Sequence, residues 1–268
     1  MPFFCHSSFF QRLSITILVL VACSCVSKNP PPERKAGWAN SLGMEFAKVP
    51  VGGETLMVAK EETQERHLVS FDRSRNRPPS EAARPASNVS WTEAMAFCEW
   101  LTKREQAAGV IDKKERYRLP TDHEWSCAAG IGHLESPTLG PEAKSNRIGG
   151  HFPWGSTWPP PPDAGNLCGQ ESEKDFPENF IAQYRDVHSG GDVKTRASRA
   201  NEYGLYDLSG NLWEWCTDRF REGKDWRVLR GGSWKTARPE TLLTSHRTHD
   251  PEDYRSDSVG FRCVLARD

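Results

Sequence analysis

The chain has 268 residues, 37% hydrophobic and 26% charged, with a formal net charge of -1. Those values fit one soluble globular domain with a sizeable core and leave too little length for two comfortable ones. The near-neutral balance gives no electrostatic footprint for nucleic acid, and ten Trp, 19 Pro and 21 Gly point to a loop-rich fold anchored by aromatic rings.

The N-terminus reads as a targeting segment. Leu13 to Ala22 (LSITILVLVA) form an apolar run after Arg12, the length of a secretory h-region and too short to span a bilayer. The run ends in Leu20-Val21-Ala22-Cys23, which resembles the bacterial lipobox. The expected organisation is a signal peptide over 1–22 and a lipidated Cys23 leading a Pro-rich tether over 23–37. A folded domain over 38–268 follows. Acyl chains on Cys23 imply an exported lipoprotein on a membrane, periplasmic or at the cell surface, with the domain in water. Free secretion is the alternative.

Export sets how the eight cysteines are read. Cys5 falls in the removed segment and Cys23 carries lipid, leaving Cys25, Cys98, Cys127, Cys168, Cys216 and Cys263. In an oxidising compartment some of these are expected to pair. None forms a CxxC, so a zinc ribbon is not expected.

Within the domain, MEFAKVPVGG (44–53) alternates as a short strand and stops at glycines. FDRSRNRPPSEAARPASN (71–88) is basic and Pro-rich, the composition of a surface loop. Ser90 with Glu93 makes a capping box ahead of Ala94, Phe97, Cys98 and Leu101 at helical spacing. Thr121 with Glu124 makes a second box after Pro120, opening a helix through Trp125 and Ala129 that stops at Gly130. From 131 to 200 no periodicity is evident, so aromatic anchors, a disulfide or a metal ion must hold that stretch. Short strands return in DWRVLRGGSW (225–234) and SVGFRCVLA (258–266). The absence of βαβ alternation favours a single α+β domain with little regular secondary structure.

Six stretches stand in order: NVSWTEAMAFCEWL (88–101), YRLPTDHEW (117–125), FPWG (152–155), NEYGLYDLSGNLWEWCTD (201–218), RVLRGGSW (227–234) and SVGFRC (258–263). Together they resemble the formylglycine-generating enzymes, the sulfatase-modifying factor family, over roughly residues 38 to 266. The resemblance implies a compact C-type-lectin-like fold. It also implies oxidation of a protein cysteine to formylglycine with O2 and copper held by two cysteines. At those two positions this chain carries Thr236 and Thr241. A thiolate selects Cu(I) and exchanges with a substrate thiol, and a neutral hydroxyl does neither. Copper and catalysis are therefore not expected, and Thr236 and Thr241 are degenerate positions.

Other family features match. Cys98 and Cys263 stand where the family forms a disulfide. Cys127 matches half of a second bridge whose partner position, near His246, has no sulfur. For calcium, Asp207 and Glu214 with the carbonyls of Gly210 and Leu212 match one family site. A turn-capping Asp207 and a Glu214 paired with an Arg are the alternative. Asn166, the carbonyl of Leu167, Asp186 and the carbonyl of His188 match a second site. Trp213, Ser233 and Trp234 match residues of the family's peptide groove. Arg238 and Arg247, with Arg230, make the region locally basic, suited to an anionic ligand or simply surface arginines, and His246 is added to the groove. Trp215 reads as core. His246 and His249 have a spacing open to a new metal site, or are simply hydrogen-bonded.

The leading expectation is a monomeric, lipid-anchored module that binds a peptide, protein or glycan and no nucleic acid. The alternative is an active oxidoreductase of the formylglycine-generating type, or an altered metal-dependent oxidase, acting on a protein thiol.

Overall fold

The computed structural model describes residues 1–2, 34, 37–75, 77–186 and 194–267. Of the expected signal peptide and tether only Met1, Pro2, Arg34 and Gly37 are described, and Cys23 and His188 lie outside the described residues. Among the described residues no helix is long and apolar enough to cross a membrane. One compact unit runs from Arg34 to Asp268.

Two four-stranded sheets form the frame. The first comprises β1 (Phe46–Val51), β2 (Glu54–Ala59), β8 (Val264–Arg267) and β3 (Glu115–Arg118), all antiparallel. The second comprises β6 (Thr248–Pro251), β5 (Trp226–Arg230), β4 (Trp213–Arg219) and β7 (Val259–Gly260), with the β4–β7 pair parallel. β1 and β2 close on Gly52 and Gly53 at φ 57° and 89°, the left-handed values a two-residue hairpin turn demands.

The helices are α1 (Glu65–Phe71), α2 (Trp91–Ala107), α3 (Asp122–Ala128), α4 (Pro141–Lys144) and α5 (Pro239–Leu242). Both expected capping boxes are present. Ser90 accepts from the Glu93 amide, Thr121 accepts from the Glu124 amide, and each Glu returns the bond to its cap residue's backbone. α2 then buries Ala94, Phe97, Cys98 and Leu101 against core residues that include Tyr117 of β3, Trp215 of β4 and Phe261 of the link between β7 and β8. Trp215 is core, as its setting in the sequence suggested; it is fully buried and its indole N–H donates to the Val89 carbonyl.

The stretch from 131 to 200 is irregular, and aromatic packing holds its described part. Phe152, Ala164, Leu167, Cys168, Ile181 and Tyr184 form a separate buried cluster with Ala237 and Leu242. Phe152 stacks on Trp154 with centroids 4.8 Å apart. This cluster docks the long loop against the segment that follows β5. The 71–88 loop lies largely at the surface; Arg75 pins it by reaching Glu65 and the Ser87 carbonyl.

Candidate functional site

The segment after β5 makes a sharp turn because Gly231 and Gly232 adopt φ 94° and 80°. A Cβ on Gly231 would sit 3.3 Å from the Trp125 ring, and one on Gly232 would sit 3.0 Å from Leu242. Thr236 then folds back. Its hydroxyl oxygen accepts the Ser233 N–H at 3.0 Å, and its own N–H donates to the Ser233 carbonyl at 2.9 Å. Thr241 lies in α5, and its hydroxyl donates to the Arg238 carbonyl at 2.8 Å. Both hydroxyls are thus committed to local turn geometry. Neutral hydroxyls so engaged do not fit a Cu(I) centre, which needs soft, ionised sulfur.

Two indoles stand beside this turn. Trp213, half-buried at the start of β4, faces the His246 ring with centroids 5.8 Å apart. Trp234, also half-buried, packs edge-on against Phe176 at 6.1 Å, and its N–H donates to the Asp257 carbonyl. Trp234 borders a cleft of about 70 Å³ that Asn211, Leu212, Arg77, Arg84 and Asp257 also line. Ser233 is buried under the turn and the Thr236 oxygen lies beside it. The arginines of the cleft come from the 71–88 loop, a contribution that sequence spacing did not reveal.

His246 holds its Nδ1 2.9 Å from Asn146 Oδ1. Burial, with help from Arg230 and Arg247, lowers its pKa to about 4, so the imidazole is neutral near pH 7. His249 is elsewhere: on β6 it stacks on Trp226 at 4.4 Å and contacts Phe220 at 4.3 Å. The two histidines therefore occupy separate aromatic settings. Among the described residues no group of three or more His, Cys, Asp or Glu is arranged to hold a metal ion.

The expected basic rim is corrected. Arg238 is exposed, but Arg230 and Arg247 have fully buried side chains. Both reach Asp122 Oδ1, at 2.6 and 2.9 Å, while Lys144 reaches Asp122 Oδ2 and Arg247 also reaches Glu135. These cations hold Asp122 well below the ordinary carboxylate range despite its burial. Arg230 also donates to the Thr244 and His246 carbonyls. The arginines thus fix the backbone of the segment under the groove and do not present charge to a ligand.

The first expected calcium set does not fit that ion. Asp207 accepts the backbone N–H groups of Arg196 and Ser198, one on each oxygen. Glu214 accepts Arg262 Nε on both oxygens, at 2.9 and 2.7 Å, and the Trp125 indole N–H at 2.9 Å. Arg262 further donates to the carbonyls of Tyr206 and Asp207, so a guanidinium already occupies the site. Glu62 is a third buried carboxylate here, accepting the Leu212 N–H; burial and the neighbouring Asp207 and Glu214 push its pKa well up. The second set differs. Asn166 is buried with its Oδ1 lacking any hydrogen-bond partner among the described residues, and buried Asp186 approaches through the Leu167 N–H. An orphaned oxygen beside a carboxylate is the chemistry a hard cation satisfies.

Cys98 and Cys263 face each other as buried thiols with sulfurs 3.6 Å apart, on α2 and just before β8. Cys127 is half-buried near His123, Cys168 donates to the Asn179 carbonyl, and Cys216 is buried.

Residues 37–267 match the sequence profile of the sulfatase-modifying factor enzyme 1-like domain. The chain is 32% identical to the inactive C-alpha-formylglycine-generating enzyme 2 of Bos taurus, over 67% of this chain and 50% of that one. It is 28% identical to the formylglycine-generating enzyme of Mus musculus, over 67% of this chain and 44% of that one. The chain thus spans about half the length of the curated relatives it matches. Among solved structures, PvdO from Pseudomonas aeruginosa aligns with a TM-score of 0.52 at 16% identity, covering 87% of this chain and 99% of that one. CarF aligns with a TM-score of 0.55 at 19% identity, covering 85% and 100%. These likenesses establish a shared fold.

Proposed function

The chain belongs to the sulfatase-modifying factor enzyme 1-like family, and from that premise we propose that it is a non-catalytic member whose groove binds an extended peptide segment of a protein partner. The observation that carries this reading is the pair Thr236 and Thr241, hydroxyls tied into their own turns at the positions where the family's chemistry needs thiolates. The groove around them keeps its indoles. Trp213 and Trp234 are each half-buried, leaving surface for a ligand, and partly exposed Trp residues dominate recognition when covered.

The proposal includes export and membrane anchoring through Cys23, supported by the apolar run and the lipobox-like LVAC. It includes calcium at Asn166 and Asp186, with the carbonyls of Leu167 and His188, in a structural role. At that site the ion would satisfy the Asn166 oxygen and tie the long loop to β4.

Panning the purified domain against a displayed peptide library tests the reading. Enriched peptides are expected to bind the intact domain and to lose about 30-fold or more in affinity on Trp213→Ala or Trp234→Ala, the scale of a Trp hot spot. Peptides that bind both variants as tightly as the parent would remove the groove from the account.

A further inference from the structure

A second cleft, separate from the groove, lies between the Phe152–Ala164 loop and residues 198–209. It encloses about 50 Å³, and its lining includes Trp154, Asp163, Arg199, Leu205, Leu208 and Ser209. Three observations distinguish it from a packing defect. Ser209 is 2% exposed, and its hydroxyl finds no hydrogen-bond partner among the described residues. A buried hydroxyl left so carries a desolvation penalty that a ligand oxygen relieves. Asp163 Oδ2 and Arg199 Nε sit 3.5 Å apart with half or more of each side chain in solvent. Trp154, Leu205 and Leu208 give the cleft apolar walls beside the polar Ser198 and Asn201, and Trp154 is held by its stack on Phe152.

The chemistry of the polar pair narrows the ligand. A carboxylate only accepts and a guanidinium only donates. Adjacent hydroxyls do both, so a vicinal diol satisfies Asp163 and Arg199 together. The apolar walls favour a ligand whose carbon skeleton presents C–H surface to an aromatic ring. The enclosed volume admits only a small arm, since one water needs about 10–15 Å³ of such space. We propose that this cleft is a second binding site for a neutral cyclic polyol, one sugar unit. Its paired hydroxyls engage Asp163 and Arg199, its C–H face covers Trp154, and one short arm enters beside the Ser209 hydroxyl. The site is independent of the peptide groove, and neither requires the other.

Titration of the 15N-labelled full domain with the methyl glycosides of glucose, galactose, mannose and N-acetylglucosamine tests this, with glycine as a zwitterionic control. Saturable shifts of the Trp154 indole and Ser209 amide signals are expected with at least one sugar and not with glycine. Arg199→Ala, a change at an exposed side chain that leaves folding intact, is expected to weaken that sugar's binding about tenfold or more. Ser209→Ala is expected to weaken it severalfold, and Trp213→Ala to leave it unchanged. No saturable shift with any sugar, saturation by glycine instead, or full affinity in the Arg199→Ala variant would overturn the proposal.

Discussion

The Thr236 hydroxyl oxygen accepts the Ser233 amide proton at 3.0 Å, closing with a side chain the turn at which the family's chemistry needs sulfur. Thr236 is therefore a structural element of the GGSW turn and not an idle remnant. The double variant Thr236→Cys/Thr241→Cys is expected to gain Cu(I) binding while the parent shows none. Competition against a chromophoric Cu(I) chelator reads this directly. Equal copper binding by the parent would refute the assignment.

Arg262 and Glu214 form a fully buried pair beneath the same region. Removing one partner strands a charge in the interior, which costs about 3–5 kcal/mol. Arg262→Ala is expected to lower the urea midpoint accordingly, and more than Glu214→Gln, because Glu62 and Asp207 also lean on that guanidinium. Unfolding curves at neutral pH measure both. A midpoint within error of the parent for Arg262→Ala would contradict the pairing.

His246 supplies a pH signature. Its folded pKa, about 4, lies below the ordinary 6.5, so the fold favours the neutral ring. The stability it contributes is complete above about pH 6.5 and is lost as pH falls toward 4. The loss is on the order of 2 kcal/mol after allowance for its partial exposure. His246→Gln removes that component, so the difference between variant and parent stability should change across this window and be constant above it. An NMR titration of the His246 ring with a midpoint near 6.5 would contradict the burial argument.

Cys98 and Cys263 lie 3.6 Å apart across 165 residues of sequence. Exposure to an oxidising buffer is expected to join them with little backbone movement. A loop of that length gives about 5 kcal/mol of stabilisation in the chain-entropy treatment. Peptide mapping after alkylation reads the bond, and the shift in urea midpoint on reduction reads its effect. Both thiols alkylating freely in the oxidised, unfolded sample would count against it.

Local signals carried much of the fold. The boxes at Ser90–Glu93 and Thr121–Glu124 announced α2 and α3 because capping is a contact between residues three apart. The strand ending at Gly52 and the irregularity of the middle third were visible for similar reasons. What stayed hidden depends on distant residues. Glu214 was read as part of a calcium-binding turn with Asp207, yet it lies in strand β4, held between β5 and β7. Arg247 and Arg230 looked like surface charge because their partner Asp122 is more than 100 residues away. The alternative reading of Glu214, paired with an Arg, is the one present, but its partner Arg262, 48 residues on, could not be named from the sequence. At the groove, Trp213 and Trp234 were legible from their motifs, whereas Arg77 and Arg84 reach the cleft only through the path of a loop without periodicity.

The central claim is that thiol oxidation is absent from a retained scaffold. Its most direct measurement incubates the purified domain with copper, O2 and a cysteine-containing sulfatase peptide, and follows the peptide by mass spectrometry. The account predicts no aldehyde above the protein-free control. Formation of the aldehyde by the parent domain, abolished by heat denaturation, would contradict it.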